Sequence, residues 1–183
     1  MKIRNGLSLI LFLSLTIYAI GFVADASQQK QQSKPKATEK PCDGQDMSQM
    51  NKRGDEQMGF SQDKATHHFF LATDGGSIEV QANDAKDTAT RDKIRMHLGH
   101  IAKMFAEGNF NAPMLIHDQT PPGVPVMKLL KAEIKYTFEE TDRGGRVRIS
   151  SNNPEAVAAI YEFLRFQIKE HQTGDPLEVR IKS

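Results

Sequence analysis

The histidines are the residues of this sequence best suited to chemistry. There are six of them, at positions 67, 68, 97, 100, 117 and 171. A histidine ring titrates near neutral pH, and its neutral form is a common metal ligand, so it serves both acid–base catalysis and metal binding. Cys42 is the single cysteine of the chain and lies well before the first histidine, so a cysteine nucleophile paired with histidine is excluded.

One flank of a predicted helix carries two of these histidines. With Ile94 at 0° and about 100° per residue, His97 falls near −60° and His100 near −120°. Met104 falls between them, at about −80°. These three side chains therefore share a flank of the helix, at the border between its apolar stripe and solvent.

A metal site on this flank needs further ligands from a neighbouring element. His67 and His68 open a predicted strand and would complete the site. Imidazole with thioether is a ligand combination that suits copper, above all Cu(I), and zinc is the other ion that histidines often bind. The predicted metal ligands are therefore His97, His100, Met104, His67 and His68.

A purely structural role for the histidines is the main alternative. When the two halves of the domain are aligned, His97 matches Phe163 and His171 matches Phe105. Phenylalanine at the matching positions indicates that these rings fill an apolar stripe. An i, i+3 histidine pair is by itself a weak metal signal, because zinc sites add a third ligand.

A small acid–base enzyme is a further alternative, with His117 beside Asp118 or His68 near Asp74 as candidate groups. The sequence contains no Gly-x-Ser-x-Gly elbow, no His-Glu-x-x-His helix and no glycine-rich phosphate loop before a helix. We therefore predict no catalytic residues and favour a binding protein over an enzyme.

The elements that must position these side chains follow a strand–strand–helix pattern that occurs twice. The two units span about residues 66–110 and 133–175. In each, two alternating apolar–polar runs flank a turn with a glycine pair, Gly75-Gly76 or Gly144-Gly145, which is typical of a β-hairpin. An amphipathic helix follows each hairpin.

The repeated unit predicts an α+β fold in which four strands form one antiparallel sheet and both helices cover one face. The alternating run 177–181 is expected to add a fifth strand at an edge. The other face of the sheet would stay open, where tyrosines, charges or a partner would lie. A protein-interaction or scaffold module that uses this face is thus the competing function.

The N-terminal region predicts export. Residues 1–26 have a positive start, an apolar run and Ala24-Asp25-Ala26, which together are typical of a cleavable signal peptide. Residues 27–63 are polar and predict a disordered tether, which leaves residues 64–183 as the folded domain. We expect a periplasmic or secreted protein with a partner in the cell envelope, and membrane contact only through an uncleaved N-terminal segment. A net charge of +1 argues against nucleic-acid binding.

Several segments resemble a group of small exported bacterial proteins with no established activity. The similar segments are His67-His68-Phe69, Asp74-Gly75-Gly76, Ile94-Arg95-Met96-His97-Leu98, Gly123-Val124-Pro125 and Phe163-Leu164-Arg165-Phe166-Gln167-Ile168. The resemblance covers about residues 59–175. It implies export and a single domain, and it contributes no catalytic residues.

Overall fold

The structure, a computed structural model, describes residues 44–179, with side chains from Ser48 onward. Its centre is one antiparallel sheet of four strands in the order β1-β2-β4-β3. The strands are β1 (Ala65–Ala72), β2 (Gly75–Ala82), β3 (Ile134–Thr141) and β4 (Gly144–Ser151). The predicted α+β fold is confirmed. Each half of the domain supplies a hairpin followed by a long helix, whereas the duplication itself stays a prediction.

The first glycine pair lies in β2 rather than in the hairpin turn, because Ala72 already pairs with Gly75. Gly75 has a φ of +138°, which L side chains rarely adopt. A Cβ on Gly76 would lie 2.3 Å from the Cδ1 atom of Leu164, in a helix that crosses the sheet. Gly75 therefore allows the backbone conformation beside the turn, and Gly76 allows the helix to pack closely on the sheet.

Two long helices cover the sheet: α2 (Thr88–Ala106) packs mainly on β3 and β4, and α5 (Pro154–Glu170) on β1 and β2. Both helices start at side chains that cap their free N–H groups. The Asp87 carboxylate accepts from the Thr90 N–H at 2.9 Å, and the Asn153 side chain accepts from the Glu155 N–H at 2.9 Å.

The apolar core lies between this pair of helices and the sheet. Its fully buried large side chains come from both halves of the domain and from the connection between them. They are Leu71, Val80, Ile94, Phe105, Phe110, Val124, Met127, Val147, Ile149, Ile160, Phe163 and Leu164. The domain thus has one shared core, and neither hairpin–helix unit buries its apolar face alone.

The other face of the sheet is polar. The Glu79 carboxylate accepts hydrogen bonds from Arg146 at 2.7 and 2.9 Å, and Arg148 donates to the Gly76 carbonyl at 2.7 Å. The expectation of charges on this face agrees with these pairs. The two tyrosines of the described part lie elsewhere: Tyr136 packs against the core, and the Tyr161 hydroxyl on α5 donates to the β1 carbonyl of Ala72.

A further helix, α1 (Gly44–Met58), precedes the sheet. The prediction of a disordered tether over residues 27–63 is wrong from residue 44 onward; residues 27–43 lie outside the described part. Met50 and Met58 are buried, and the Arg53 Nε donates to the Ile116 carbonyl at 2.9 Å. A few methionines thus anchor a mostly polar helix, which its composition does not reveal.

The connection between the halves contains two short helices, α3 (Asn111–His117) and α4 (Val124–Leu129). At the other end, residues 177–179 do not continue the sheet as the predicted fifth strand, and residues 180–181 lie outside the described part. The predicted signal peptide and Cys42 also lie outside it. Among the described helices, none is long and apolar enough to cross a membrane.

Candidate functional site

Four of the six histidines line one cavity of about 70 Å³ between the helices and the sheet. His67 comes from β1, His97 from α2 and His117 from the last position of α3, while His171 caps the end of α5. Met58, at the end of α1, adds its side chain to the same wall. The remaining lining residues are apolar except Gln167. We call this the histidine cavity.

Strand geometry separates His67 from its neighbour. Successive side chains of β1 point to opposite faces, so His67 shares the helix-covered face with Phe69, and His68 lies on the polar face. There the His68 Nδ1 lies 3.1 Å from an Asp175 carboxylate oxygen, and its ring stacks on Phe70 with centroids 5.8 Å apart. His68 therefore does not reach the histidine cavity.

The predicted flank of α2 divides in the same way. His97 is half-buried at the cavity, where its ring meets Phe60 edge-on at a centroid distance of 5.9 Å. His100, one turn on and further round the helix, is exposed. Met104 packs against the core outside the cavity lining. Of the five predicted metal ligands, the fold brings together only His67 and His97.

The sequence did not identify His117 and His171 as members of this set, because only tertiary packing brings the two residues together. Each lies at the end of a helix, and each is followed by a left-handed residue, Asp118 at φ 52° or Gln172 at φ 49°. The chain turns away there and leaves both rings at the cavity. Helix C-termini carry partial negative charge, so the two rings lie where a cation is favoured.

The candidate acid–base pairs do not form. Asp118 is exposed beside the buried His117, and Asp74 pairs with Arg148 instead of with His68. The left-handed backbone at Asp118 explains the first failure, because it directs the chain away from the helix. The strand register explains the second, because Asp74 lies beyond the end of β1.

The histidine rings are close neighbours. Ring centroids lie 5.4 Å apart for His67 and His171, and 5.1 Å apart for His117 and His171. Two imidazoles on one tetrahedral ion, with metal–nitrogen bonds near 2 Å, place their ring centroids about 5 Å apart. Within residues 44–179, no three His, Cys, Asp or Glu side chains already converge as ligands, so coordination requires the rings to rotate.

The most ligand-like nitrogen is on His117. Its Nε2 lies 3.0 Å from the Gln167 Oε1, which can only accept, so Nε2 carries the proton and Nδ1 keeps its lone pair. That Nδ1 has no hydrogen-bond partner in the described part of the chain, although His117 is only 8% exposed. The nearest carboxylate oxygen, of Glu170, is 3.9 Å away. A metal-binding histidine is typically fixed through its other nitrogen in this way.

Burial keeps these imidazoles neutral. Loss of hydration lowers the pKa of His67 from 6.5 to about 4, helped by the nearby His97 and His68. The pKa of His97 also falls to about 4, through burial and His100. Burial lowers the pKa of His117 and, more strongly, that of His171. At pH 7 the histidine cavity therefore presents neutral rings, the form that binds metals.

These shifts predict acid-sensitive stability of the metal-free domain. The unfolded chain takes up protons near pH 6.5 and the folded one near pH 4, so the free energy of unfolding falls as the pH drops from 6.5 to 4. We expect roughly 2 kcal/mol from each of His67 and His97, after allowing for partial exposure. Urea unfolding at several pH values, with a chelator present, measures this fall in the free energy of unfolding. His97→Phe should reduce the slope strongly and His100→Ala only slightly, because burial contributes more than His100 to the lowered pKa of His97. Equal slopes in all three proteins would contradict the assignment.

A second, polar cavity of about 350 Å³ adjoins the first. Its lining includes Asn51, Gln62 and Thr66, and it shares His67 and His171 with the histidine cavity. The two shared rings thus stand between a polar space and an apolar one. A hydrated ligand that enters from the polar side meets these two rings first.

Comparison of the chain with protein-family models, with curated proteins and with solved structures yields no match. The candidate site therefore rests on its own geometry.

Proposed function

We propose that this domain is an exported, non-enzymatic binding protein whose ligand is a soft transition-metal ion, Cu(I), held in the histidine cavity. The candidate donors, from which a tetrahedral ion takes up to four, are the imidazoles of His67, His97, His117 and His171 and the thioether of Met58. One observation carries the proposal: the buried Nδ1 of His117 keeps a lone pair without a partner, while Gln167 fixes the other nitrogen of the ring.

The free-energy cost of burying unpaired nitrogen atoms in the histidine cavity favours a ligand-binding role for His117 over a packing role. A buried polar atom without a hydrogen bond costs about 1–3 kcal/mol, and the Nδ1 of His117 and the Nε2 of Gln167 are both in that condition. A bond from Nδ1 to a metal ion offsets the cost for His117.

The donor types favour Cu(I) over harder ions. Neutral imidazole and thioether are ligands that suit Cu(I), and none of the residues that line the histidine cavity is a carboxylate. A single positive charge is also cheaper to bury among apolar side chains than a double one. The C-terminal ends of α3 and α5 add favourable partial charge for a cation.

The competing protein-interaction role gains less support from the polar sheet face. The charged side chains at its centre are paired within the chain, as in Glu79 with Arg146 and Arg148 with Asp74. A partner would have to compete with these pairs. Large exposed apolar side chains lie on helices or in the C-terminal segment, as with Met96 and Leu129, and not on this face.

Competition titration against a chromophoric Cu(I) chelator, under reducing anaerobic conditions, tests the proposed function. The full chain should carry Cys42→Ser, because a thiolate is itself a strong Cu(I) ligand. We expect one Cu(I) per chain, and a loss of affinity in Met58→Leu. Met127→Leu replaces a fully buried methionine that lines neither of the two cavities and is the matched control. Absence of binding, or equal affinity of the two variants, would contradict the proposal.

A further inference from the structure

The two edge strands of the sheet, β1 and β3, differ in what lies beside them. At the β1 edge, the Asp175 carboxylate accepts the Phe69 N–H at 2.9 Å and also bonds His68, so the C-terminal segment occupies that edge. At the other edge, β3 has no neighbouring strand on its outer side within residues 44–179. An uncovered edge of this length offers backbone groups to another strand.

Alternate residues of an antiparallel strand turn their backbone N–H and C=O groups towards opposite neighbours. This rule identifies the residues of β3 whose backbone groups point away from β4. The Phe69 N–H points away from β2, since it bonds Asp175. Across the sheet, Phe69 is paired with Ile78, Ile78 with Val147, and Val147 with Phe138. Because hydrogen-bonded and non-hydrogen-bonded pairs alternate from strand to strand along this row, Phe138 points its N–H and C=O away from β4. Residues of the same parity, Ile134, Tyr136 and Glu140, do likewise.

The charges of β3 select one way for this strand to meet a second copy of itself. In an antiparallel pair of β3 strands, residues whose backbone groups point away from β4 must lie opposite residues of the same kind. This condition allows only registers that differ by an even number of residues. When Thr137 lies opposite itself, Lys135 faces Glu139 of the other copy, twice by symmetry. Sliding the strands two residues either way sets Lys135 or Glu139 against Thr137 and forms no ion pair. Sliding them four residues one way sets Glu139 against Glu139, and four the other way sets Lys135 against Lys135. The same centred register puts Tyr136 opposite Phe138.

We propose that the domain forms a two-fold symmetric dimer through β3, centred on Thr137, which joins the two four-stranded sheets into one of eight strands. The side chains of Lys135 and Glu139 are on the polar face, and those of Tyr136 and Phe138 are on the helix-covered face, half-buried. Edge charges commonly prevent strand pairing. Here their spacing makes them complementary only to a copy of the same strand.

Sedimentation of the full chain over a dilution series tests this dimer with two charge reversals. Lys135→Glu places like charges opposite each other twice, and so does Glu139→Lys. Each variant alone is expected to dimerise about tenfold or more weakly than the unchanged chain. In an equimolar mixture, the two reversed side chains face each other with opposite charges, and so do the two unchanged ones. The mixture should therefore recover the dimer.

The mixture is the control for folding, because two damaged proteins would not rescue each other. A monomeric unchanged chain at all concentrations overturns the proposal. So does a single variant that dimerises as well as the unchanged chain, or a mixture that stays monomeric. Circular dichroism of each variant should match that of the unchanged chain, because both side chains are exposed on an edge strand. Arg146 loses a 3.7 Å contact with the Glu139 carboxylate in Glu139→Lys but keeps its closer pair with Glu79.

Discussion

Replacing His117 and His171 together with alanine is expected to weaken Cu(I) binding by more than about 100-fold. Loss of a group that merely orients a metal ligand typically costs 10–100-fold in affinity, so the loss of two ligands should exceed that range. The two rings lie 5.1 Å apart at the ends of α3 and α5. Competition titration of the chain carrying Cys42→Ser measures the change.

The double variant His68→Ala and His100→Ala is the matched control. It also removes two imidazoles, but one lies on the polar sheet face and the other is exposed on α2. Its affinity should change by no more than about threefold, as for most surface changes. If the control loses as much affinity as the cavity variant, the site lies elsewhere. His171→Phe, which keeps a ring at the site, separates loss of a ligand from loss of folding.

Gly123→Ala is expected to destabilise the domain by about 3 kcal/mol or more. Gly123 starts α4 with a φ of +79°, and a Cβ there would lie 2.0 Å from the Ala159 carbonyl oxygen of α5. Left-handed backbone costs an L residue about 1–2 kcal/mol, and overpacking adds about 1–3 kcal/mol. Urea unfolding at pH 7 measures the difference.

Gly174→Ala isolates the contribution of the contact. Its φ is +72°, nearly that of Gly123, but a Cβ there would meet no atom within 4 Å. It should cost only the backbone strain, about 1 kcal/mol. Equal losses in the two variants would mean that Gly123 is needed for its backbone angle alone and that α4 does not approach α5 so closely.

Local patterns were sufficient to predict the sheet and the long helices. The alternation in β1 to β4 and the apolar stripe of α2 are short-range signals that survive in the fold. Helix α1 was missed because its stability comes from distant contacts, such as the bond from Arg53 to the Ile116 carbonyl. A polar composition does not reveal anchoring by two methionines.

The candidate site was predictable only in part, for a related reason. Strand parity and the helical wheel place His67 and His97 towards the core, and the structure agrees. The same prediction also included His68, His100 and Met104, which the fold leaves outside the cavity. His117 and His171 have no local signal that joins them, because α4 and a whole hairpin separate α3 from α5 along the chain. Their shared position at a helix end becomes meaningful only in three dimensions.

A crystal structure of the chain loaded with Cu(I), measured at the copper absorption edge, tests the central claim most directly. We predict one anomalous peak in the histidine cavity, about 2 Å from the Nδ1 of His117, with the rings of His67 and His171 turned towards it. A peak beside His68 or His100, or a cavity without copper in a loaded crystal, would contradict the proposed function.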